Sequence, residues 1–431
     1  MQIIHPDVPI EAAHLLNGYD CPAILVSPSY EIMAANEQYR ATFGHIDRDK
    51  GSHCYEVSHG YKRPCDECGE SCPLSASLQS GNRERVLHIH NTPRGKEYVD
   101  VELLPINDAK GNLIYFVELL KTVSHASAQT SESQMVGTSP AFTHMIDMIN
   151  RVAPSSASVL LLGESGTGKE LAAQALHDAS DRKDKPFVIV ECSGLSETLF
   201  ESELFGHVKG AFTGASYNRS GLVESARQGT LFLDEVGDIP MSLQVKLLRL
   251  IESGTFRPVG SEQQKVADFR LICATHKNLR QMVEQGQFRK DLFFRINVFP
   301  IYLPNLNERI EDIPLLAQSI LSRINRKLRL SKAAEKWLKQ YNYEGNIREL
   351  RNILERACLF EQQQELTPEA LNQAVAAEIA FSTQQGTSFS SLQQTEKNHI
   401  NQLLRENDNN KEKVANMLGI SERTLYRKLK K

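Results

Sequence analysis

No apolar run in this 431-residue chain approaches the ~18 residues that a membrane-spanning helix needs. Its first 20 residues carry His5, Asp7, Glu11 and His14 where an export signal has an apolar core. A cytoplasmic protein with no membrane contact is therefore expected. A dominant charge sign is also lacking. The 49 Lys and Arg against 53 Asp and Glu leave a formal charge of −4, which excludes a uniformly basic nucleic-acid coat but not a local basic module. No repeat of 20–50 residues is present, which excludes a solenoid. With 41% hydrophobic and 24% charged residues the composition is that of a globular protein, and at ~100–200 residues per domain the length predicts two to four domains.

Eight cysteines in an expected reducing compartment do not imply disulfides. Cys21, Cys54, Cys65, Cys68 and Cys72 crowd the first 72 residues, whereas Cys192, Cys273 and Cys358 stand singly in apolar or helical surroundings and read as core. Two polar, turn-rich stretches, 124–134 and 382–391 within a linker of 378–392, divide the chain. Before the first, Ala23–Val26, Glu31–Ala35, Arg85–His90, Glu97–Leu104 and Leu113–Leu120 read as strands, with Ala109–Asn112 as a hairpin turn. Between the linkers, Val159–Leu162, Phe187–Val190, Thr230–Leu233 and Leu271–Ala274 alternate with helical patterns, as in a mostly parallel sheet covered on both faces; helices alone follow from about Ile310. The fold class is thus multidomain: a small α+β sheet domain over 1–123, an α/β domain over 135–377 with a helical lid from about 306, and an all-α module over 393–431.

Gly163, Glu164, Ser165, Gly166, Thr167, Gly168 and Lys169 form G-x-x-x-x-G-K between an apolar strand and a helical run. Glycines there turn backbone N–H groups onto phosphate oxygens, the helix directs its positive end at the same anion, and the lysine adds a point charge. Glu170 stands where Ser or Thr would ligate magnesium, so Mg²⁺ needs other groups and water. Leu231–Glu235 supplies them: an apolar strand ends in Asp234, suited to holding Mg²⁺ through water, and Glu235, suited to polarising an attacking water. ATP hydrolysis is the working expectation.

The phosphate loop, Glu203–His207, the string Gly210, Ala211, Phe212, Thr213, Gly214, Ala215, and Gly345–Leu350 together resemble the AAA+ domain of bacterial enhancer-binding proteins, the activators of sigma-54 RNA polymerase. The resemblance covers roughly residues 135–377 and implies a ring of subunits, from dimer to hexamer, that hydrolyses ATP. It implies that Gly210–Ala215 contacts sigma-54; glycines flanking a Phe–Thr tip suit a mobile loop with an aromatic anchor. It implies that Arg289 and Arg295 reach a neighbouring subunit's γ-phosphate, although each could instead make a surface ion pair. Arg348, inside a helix that Asn346 could cap, resembles the lid arginine that senses the nucleotide.

The sequence departs from the family at three positions. Glu191 and His276 stand where relatives usually have Asn, the first of which senses the γ-phosphate and restrains the catalytic carboxylate; Glu344 stands where Pro is common. A second carboxylate near Glu235 is expected to repel it, raise one carboxyl pKa and slow basal hydrolysis.

Asn410–Leu418, Gly419 and Ser421–Lys430 read as helix, turn, helix, with Ser421 as cap. Residues 411–431 hold seven basic side chains and two acidic ones, suiting contact with DNA phosphates. The module resembles the Fis-type domain of the same family, which implies double-stranded DNA at upstream sites as partner; Ser421, Glu422, Arg423, Thr424, Arg427 and Lys428 would meet it.

At the other end no acidic pocket with a downstream lysine of receiver type is evident, so control by aspartyl phosphorylation is not expected. Residues 12–122 look like a PAS domain, a sensor of ligands, redox state or cofactors. Cys54, Cys65, Cys68 and Cys72 have metal-like spacing, with His53 and His59 nearby. An iron–sulfur cluster, structural zinc and a thiol–disulfide switch compete, the last with Lys62 and Arg63 lowering the Cys65 pKa. The resulting expectation is a sensor-controlled, sigma-54-dependent activator whose ATPase opens a closed promoter complex. A DNA-binding repressor with a vestigial ATPase and a general AAA+ remodeller are the alternatives.

Overall fold

The computed structural model describes residues 2–3, 5, 8–46, 53–131, 134–194, 196–324, 328–361 and 364–385, with side chains excepted at 2–3 and 378–385. The module expected at 393–431 lies outside the described residues. Residues 1–368 form one compact unit.

The amino-terminal region is an antiparallel sheet of β1 (Gln2–Ile3), β2 (Ala23–Val26), β3 (Ile32–Ala35), β4 (Glu84–Thr92), β5 (Gly95–Asn107) and β6 (Leu113–Thr122), in the order β1-β3-β2-β6-β5-β4. Ile24, Val26, Phe116 and Leu120 face the helices between β3 and β4, forming a core with Cys65, Cys72 and Leu74. The alternate residues Ala23, Leu25, Val117 and Leu119 pack with Leu16 on the opposite face, the period-2 consequence of the pleat.

The ATPase sheet contains β7 (Val159–Leu162), β8 (Phe187–Glu191), β9 (Thr230–Asp234), β10 (Arg270–Thr275) and β11 (Phe299–Tyr302), all parallel, in the order β8-β9-β10-β7-β11. The fifth strand, β11, was not anticipated, because Pro300 argues against a central strand; it sits at the sheet edge, where proline is tolerated. Buried Arg270 donates to the Ala153 and Val152 carbonyls at 2.6 and 3.0 Å, capping the end of helix Pro140–Val152. Beyond 306 the lid holds helices Ile313–Ile324, Lys332–Gln340 and Asn346–Phe360, together with a small parallel pair, Arg329–Leu330 with Glu365–Leu366, absent from the all-helix expectation.

Both linker expectations need correction. Within 124–134, Ala126–Ser127 pairs in parallel with Met135–Val136, and Ala126 and Ala128 are buried in the core that also holds Leu87, Tyr98 and Phe142. Polar composition concealed this because the alternating alanines are small enough to bury in the junction. In the second, helix Pro368–Gln385 continues past 378. Cys192 and Cys273 are buried as expected, whereas Cys358 is only half-buried.

Candidate nucleotide site

The loop after β7 opens helix Lys169–Asp178. Gly166 has φ +80°, and a Cβ there would collide with the Gly345 carbonyl of the lid, so the loop can approach the lid this closely only as glycine. Thr167 donates to the Glu164 carbonyl at 2.8 Å. Lys169 is buried and donates to the Gly163 and Glu164 carbonyls at 3.1 and 3.3 Å, while its Nζ lies 3.3 Å from Glu235 Oε1.

Parallel pairing of β8 with β9 places Glu191 beside Asp234 at the strand ends. Asp234 Oδ1 accepts from the Glu235 amide at 3.0 Å, and Glu235 itself adopts a left-handed conformation at φ 53°. Burial and then the Glu235 charge push the Asp234 carboxyl above its usual range. Burial acts the same way on Glu235, but Lys169 and hydrogen bonds from His276 outweigh it and hold that carboxyl below its usual range. His276 binds Glu235 Oε2 through Nδ1 at 2.7 Å and through its amide at 3.2 Å. The leading influences on Glu235 are thus burial, Lys169 and His276 rather than the expected Glu191. Glu191 is exposed and accepts from Ser193 at 3.4 Å, and the charges acting on Asp234 are Glu235, Lys169 and Glu170.

The lid closes on the loop through the Gly345–Leu350 segment. Ile347 donates its amide to the Gly166 carbonyl at 3.0 Å, and Arg348 Nη1 donates to Ser165 Oγ at 2.8 Å. Asn346 does not cap its helix, as the sequence had suggested. It is the first helical residue, at φ 55°, and its amide donates to Glu164 Oε2 at 2.9 Å and the Ser165 carbonyl at 3.1 Å, while its Oδ1 accepts from Leu306 at 2.8 Å. A narrow cavity of about 70 Å³ runs beside the loop, lined by Val136, Thr167, Leu303 and Ile347 together with Arg309 and Arg351. Sequence reasoning missed the clasp that frames it. Buried Asp312 accepts from Thr138 and Ser139 amides at 2.6 and 2.8 Å, from Ser139 Oγ at 2.7 Å and from Arg309 Nε at 2.9 Å. Only the Asp three residues after an Arg, with no motif around it, hinted at this clasp.

Arg289 pairs with Asp291 at 3.0 and 2.6 Å, and Arg295 Nη2 reaches the Ile251 carbonyl at 3.5 Å. Within one chain, then, the two arginines engage surface groups rather than the phosphate loop. The Gly210–Ala215 segment is a tight projecting turn. Gly210 and Gly214 take φ +85° and +106°, Gly210 donates to the Ala215 carbonyl at 2.9 Å, Thr213 is exposed, and half-buried Phe212 rests edge-on against His207 at 5.1 Å.

The cysteines do not converge as their spacing suggested. Cys54, Cys65 and Cys72 share one core, but Cys68 is exposed, its thiol 3.8 Å from the Arg63 carbonyl. This set does not fit a four-thiolate cluster or zinc site. The Cys65 thiol hydrogen-bonds Cys72, which pushes Cys65 up and holds Cys72 down to about 7. The expected low-pKa thiol is therefore Cys72, not Cys65; Cys72 also caps helix Pro73–Ser80, accepting from the Ser75 amide.

A parallel sheet with a glycine phosphate loop, a strand-end Asp–Glu pair and a helical lid touching that loop defines a P-loop ATPase of the AAA+ class. Residues 135–302 match the sigma-54 interaction domain, 307–388 the AAA+ ATPase lid domain, and 391–431 the Fis family of bacterial regulatory proteins. The chain is 46% identical over 308 residues to the transcriptional regulatory protein ZraR of Salmonella typhimurium, covering 70% of each chain. It is 42% identical over 313 residues to the response regulator protein PilR of Pseudomonas aeruginosa, again over 70% of each. A crystal structure of NtrX from Brucella abortus in complex with ATP matches with TM-score 0.55 and 32% identity, covering 70% of each chain. The chain belongs to the family of sigma-54-dependent transcriptional regulators, and it is an ATPase that binds ATP, interacts with sigma-54 and binds DNA. No helix among the described residues is long and apolar enough to cross a membrane.

Proposed function

We propose that the chain assembles into a ring, hexameric when active, whose ATP hydrolysis remodels the closed complex of sigma-54 RNA polymerase on promoter DNA. The main support is the pairing, in one domain, of a phosphate loop already in register with a carboxylate pair and a projecting Gly210–Ala215 turn. Residues 163–170 hold the phosphates, with Lys169 leaving Glu235 for them. Asp234 holds Mg²⁺ through water; its carboxyl at an open strand end, beside the phosphate loop, is a donor of the right chemistry. Glu235 activates the attacking water. Arg289 exchanges Asp291 for a neighbour's γ-phosphate, and Arg295 completes the same site across the subunit boundary. Arg348, already touching Ser165, reports the nucleotide to the lid. Phe212 and Thr213 engage sigma-54, and Ser421, Glu422, Arg423, Thr424, Arg427 and Lys428 hold upstream DNA.

The amino-terminal sheet acts as a PAS-type sensor. Its antiparallel order and the helices inserted between β3 and β4 support that reading, as does its seat on the ATPase through Tyr98, which donates to the Gly137 carbonyl at 3.1 Å and meets Thr143 Oγ1 at 3.0 Å. Of the three cysteine readings, the Cys65–Cys72 pair supports a thiol switch. The whole proposal is tested by open-complex formation with sigma-54 polymerase. ATP should support it and a non-hydrolysable analogue should not, and Phe212→Ala should abolish it while ATP turnover persists. Open complexes formed by Phe212→Ala at the normal rate would remove the assigned role of the turn.

A further inference from the structure

We propose that His59, His88 and His90, with Glu70, form a binding site for one divalent transition-metal ion of zinc type. His88 and His90 occupy alternate positions of β4, so the pleat sets both rings on the same face of the sheet. His59 ends helix Cys54–His59 and meets them, with ring centroids 5.0 Å from His88 and 4.7 Å from His90. One ligand nitrogen from each of the three rings lies within 4.8 Å of the others, and no other group of three potential metal ligands among the described residues comes so close. A tetrahedral ion with bonds near 2.0–2.1 Å needs nitrogens about 3.3 Å apart, so each ring has about 1 Å to move.

The surroundings are those of an ion site. The Ser71 carbonyl bonds His88 Nε2, the kind of outer contact that fixes a ligand's tautomer and orientation. Tyr61 donates to Glu70 Oε1 at 2.6 Å, while Glu70 Oε2 is buried with no hydrogen-bond partner, 3.6 Å from His59 Nδ1. A buried carboxylate oxygen without a donor beside three imidazoles is a poor arrangement for an empty core and a good one for a cation with nitrogen and oxygen ligands. The site is distinct from the cysteine pair. It also lies one strand from the ATPase, because Leu87 and Ile89, on the opposite face of β4, pack into the core holding Phe142 and Ile146. An ion that draws His88 and His90 together would therefore pull on the strand that carries this contact.

The test uses the full chain, stripped with chelator and titrated with Co²⁺, with Zn²⁺ as competitor. Expected is one equivalent per chain, with visible d–d absorption and no thiolate-to-cobalt charge-transfer band. Glu70→Gln should weaken binding about tenfold to a hundredfold, and His59→Gln or His90→Gln by more, while Cys65→Ser and Cys68→Ser leave it unchanged. Should His90→Gln fail to fold, His59→Gln and Glu70→Gln, checked by circular dichroism and ATP turnover, decide alone. A charge-transfer band, loss of binding in the cysteine variants, or no stoichiometric binding of either ion would overturn the site.

Discussion

The nucleotide site and the histidine cluster of the amino-terminal domain both gather titratable groups on a sheet, yet they handle charge in opposite ways. Lys169 is buried but keeps two carbonyls and Glu235 as partners, and Glu235 is held below its usual range although burial opposes it. Lys169 and Glu235 are set against each other, so this pair is poised before nucleotide arrives. In the amino-terminal domain, burial pushes His59 down to about 4 and lowers His88, with a single carboxylate, Glu70, nearby. The first arrangement needs an anion to displace its internal pairs; the second needs a cation to occupy neutral rings. Motifs announce the first kind because its glycines and charges are contiguous, whereas the second is assembled from residues 59, 70, 88 and 90 by the fold.

The comparison breaks most visibly if the nucleotide site is complete in one chain. Arg289→Ala and Arg295→Ala should each lower ATP turnover by ~10³-fold or more while nucleotide affinity in the isolated chain stays within a few-fold. Mixing either variant with a Lys169→Ala chain should restore part of the activity, since one supplies the arginines and the other the loop. No rescue, with loss of binding instead, would place the arginines in a structural role. Glu235→Gln comes next. It should lower turnover by ~10²–10⁴-fold with ATP binding intact, as expected for removal of a base.

Asp312→Ala probes whether the site's frame is as charge-matched as its centre. Asp312 accepts five hydrogen bonds in full burial, and its loss leaves the Arg309 guanidinium, 4.4 Å over the Phe142 ring, without its carboxylate. A cost of about 3–5 kcal/mol is expected in chemical denaturation. A change under ~1 kcal/mol would mean that water replaces the carboxylate. At the junction with the amino-terminal domain, burial pushes His125 down to about 4. Its unfolded value is near 6.5, so the unfolded chain takes the proton first, and stability that is full above that value is lost as pH falls towards 4. The loss should reach roughly 1.4 kcal/mol by pH 5.5, and His125→Gln should flatten that part of the profile. An unchanged slope in the variant would assign the acid sensitivity to other groups.

What was legible followed the same division. The phosphate loop, Asp234, Glu235 and the strands β7 to β10 could be read because each is a contiguous run with one physical meaning. Asn346 was misread because a residue before an apolar helix normally caps it, and only the tertiary approach of Glu164 and Ser165 gives its amide other work. The cysteine spacing was misread because a ligand set is defined in space. Cys68 falls on the exposed side of a short turn, while Cys65 and Cys72 enter the core. The histidines of β4 carried a signal, alternate positions on a strand, that needed a third residue from a distant helix to become a site.

The smallest expected effects separate two residues that looked equivalent in sequence. Glu191 and His276 both stand where the sequence resemblance leads one to expect Asn, but only His276 touches Glu235, through side chain and amide together. Removing the imidazole leaves the amide contact and the Lys169 pair, so Glu235 is loosened rather than freed. Basal ATP turnover of His276→Ala should rise by ~3–10-fold, the scale of one hydrogen bond to a charged acceptor partly replaced by water. Glu191→Asn should change it by less than about twofold, because the exposed Glu191 side chain contacts Ser193 and not Glu235. Steady-state turnover of the two variants, measured at saturating ATP, decides the matter. A larger effect for Glu191→Asn than for His276→Ala would show that the restraint on Glu235 passes through β8 and not through the histidine that holds it in this structure.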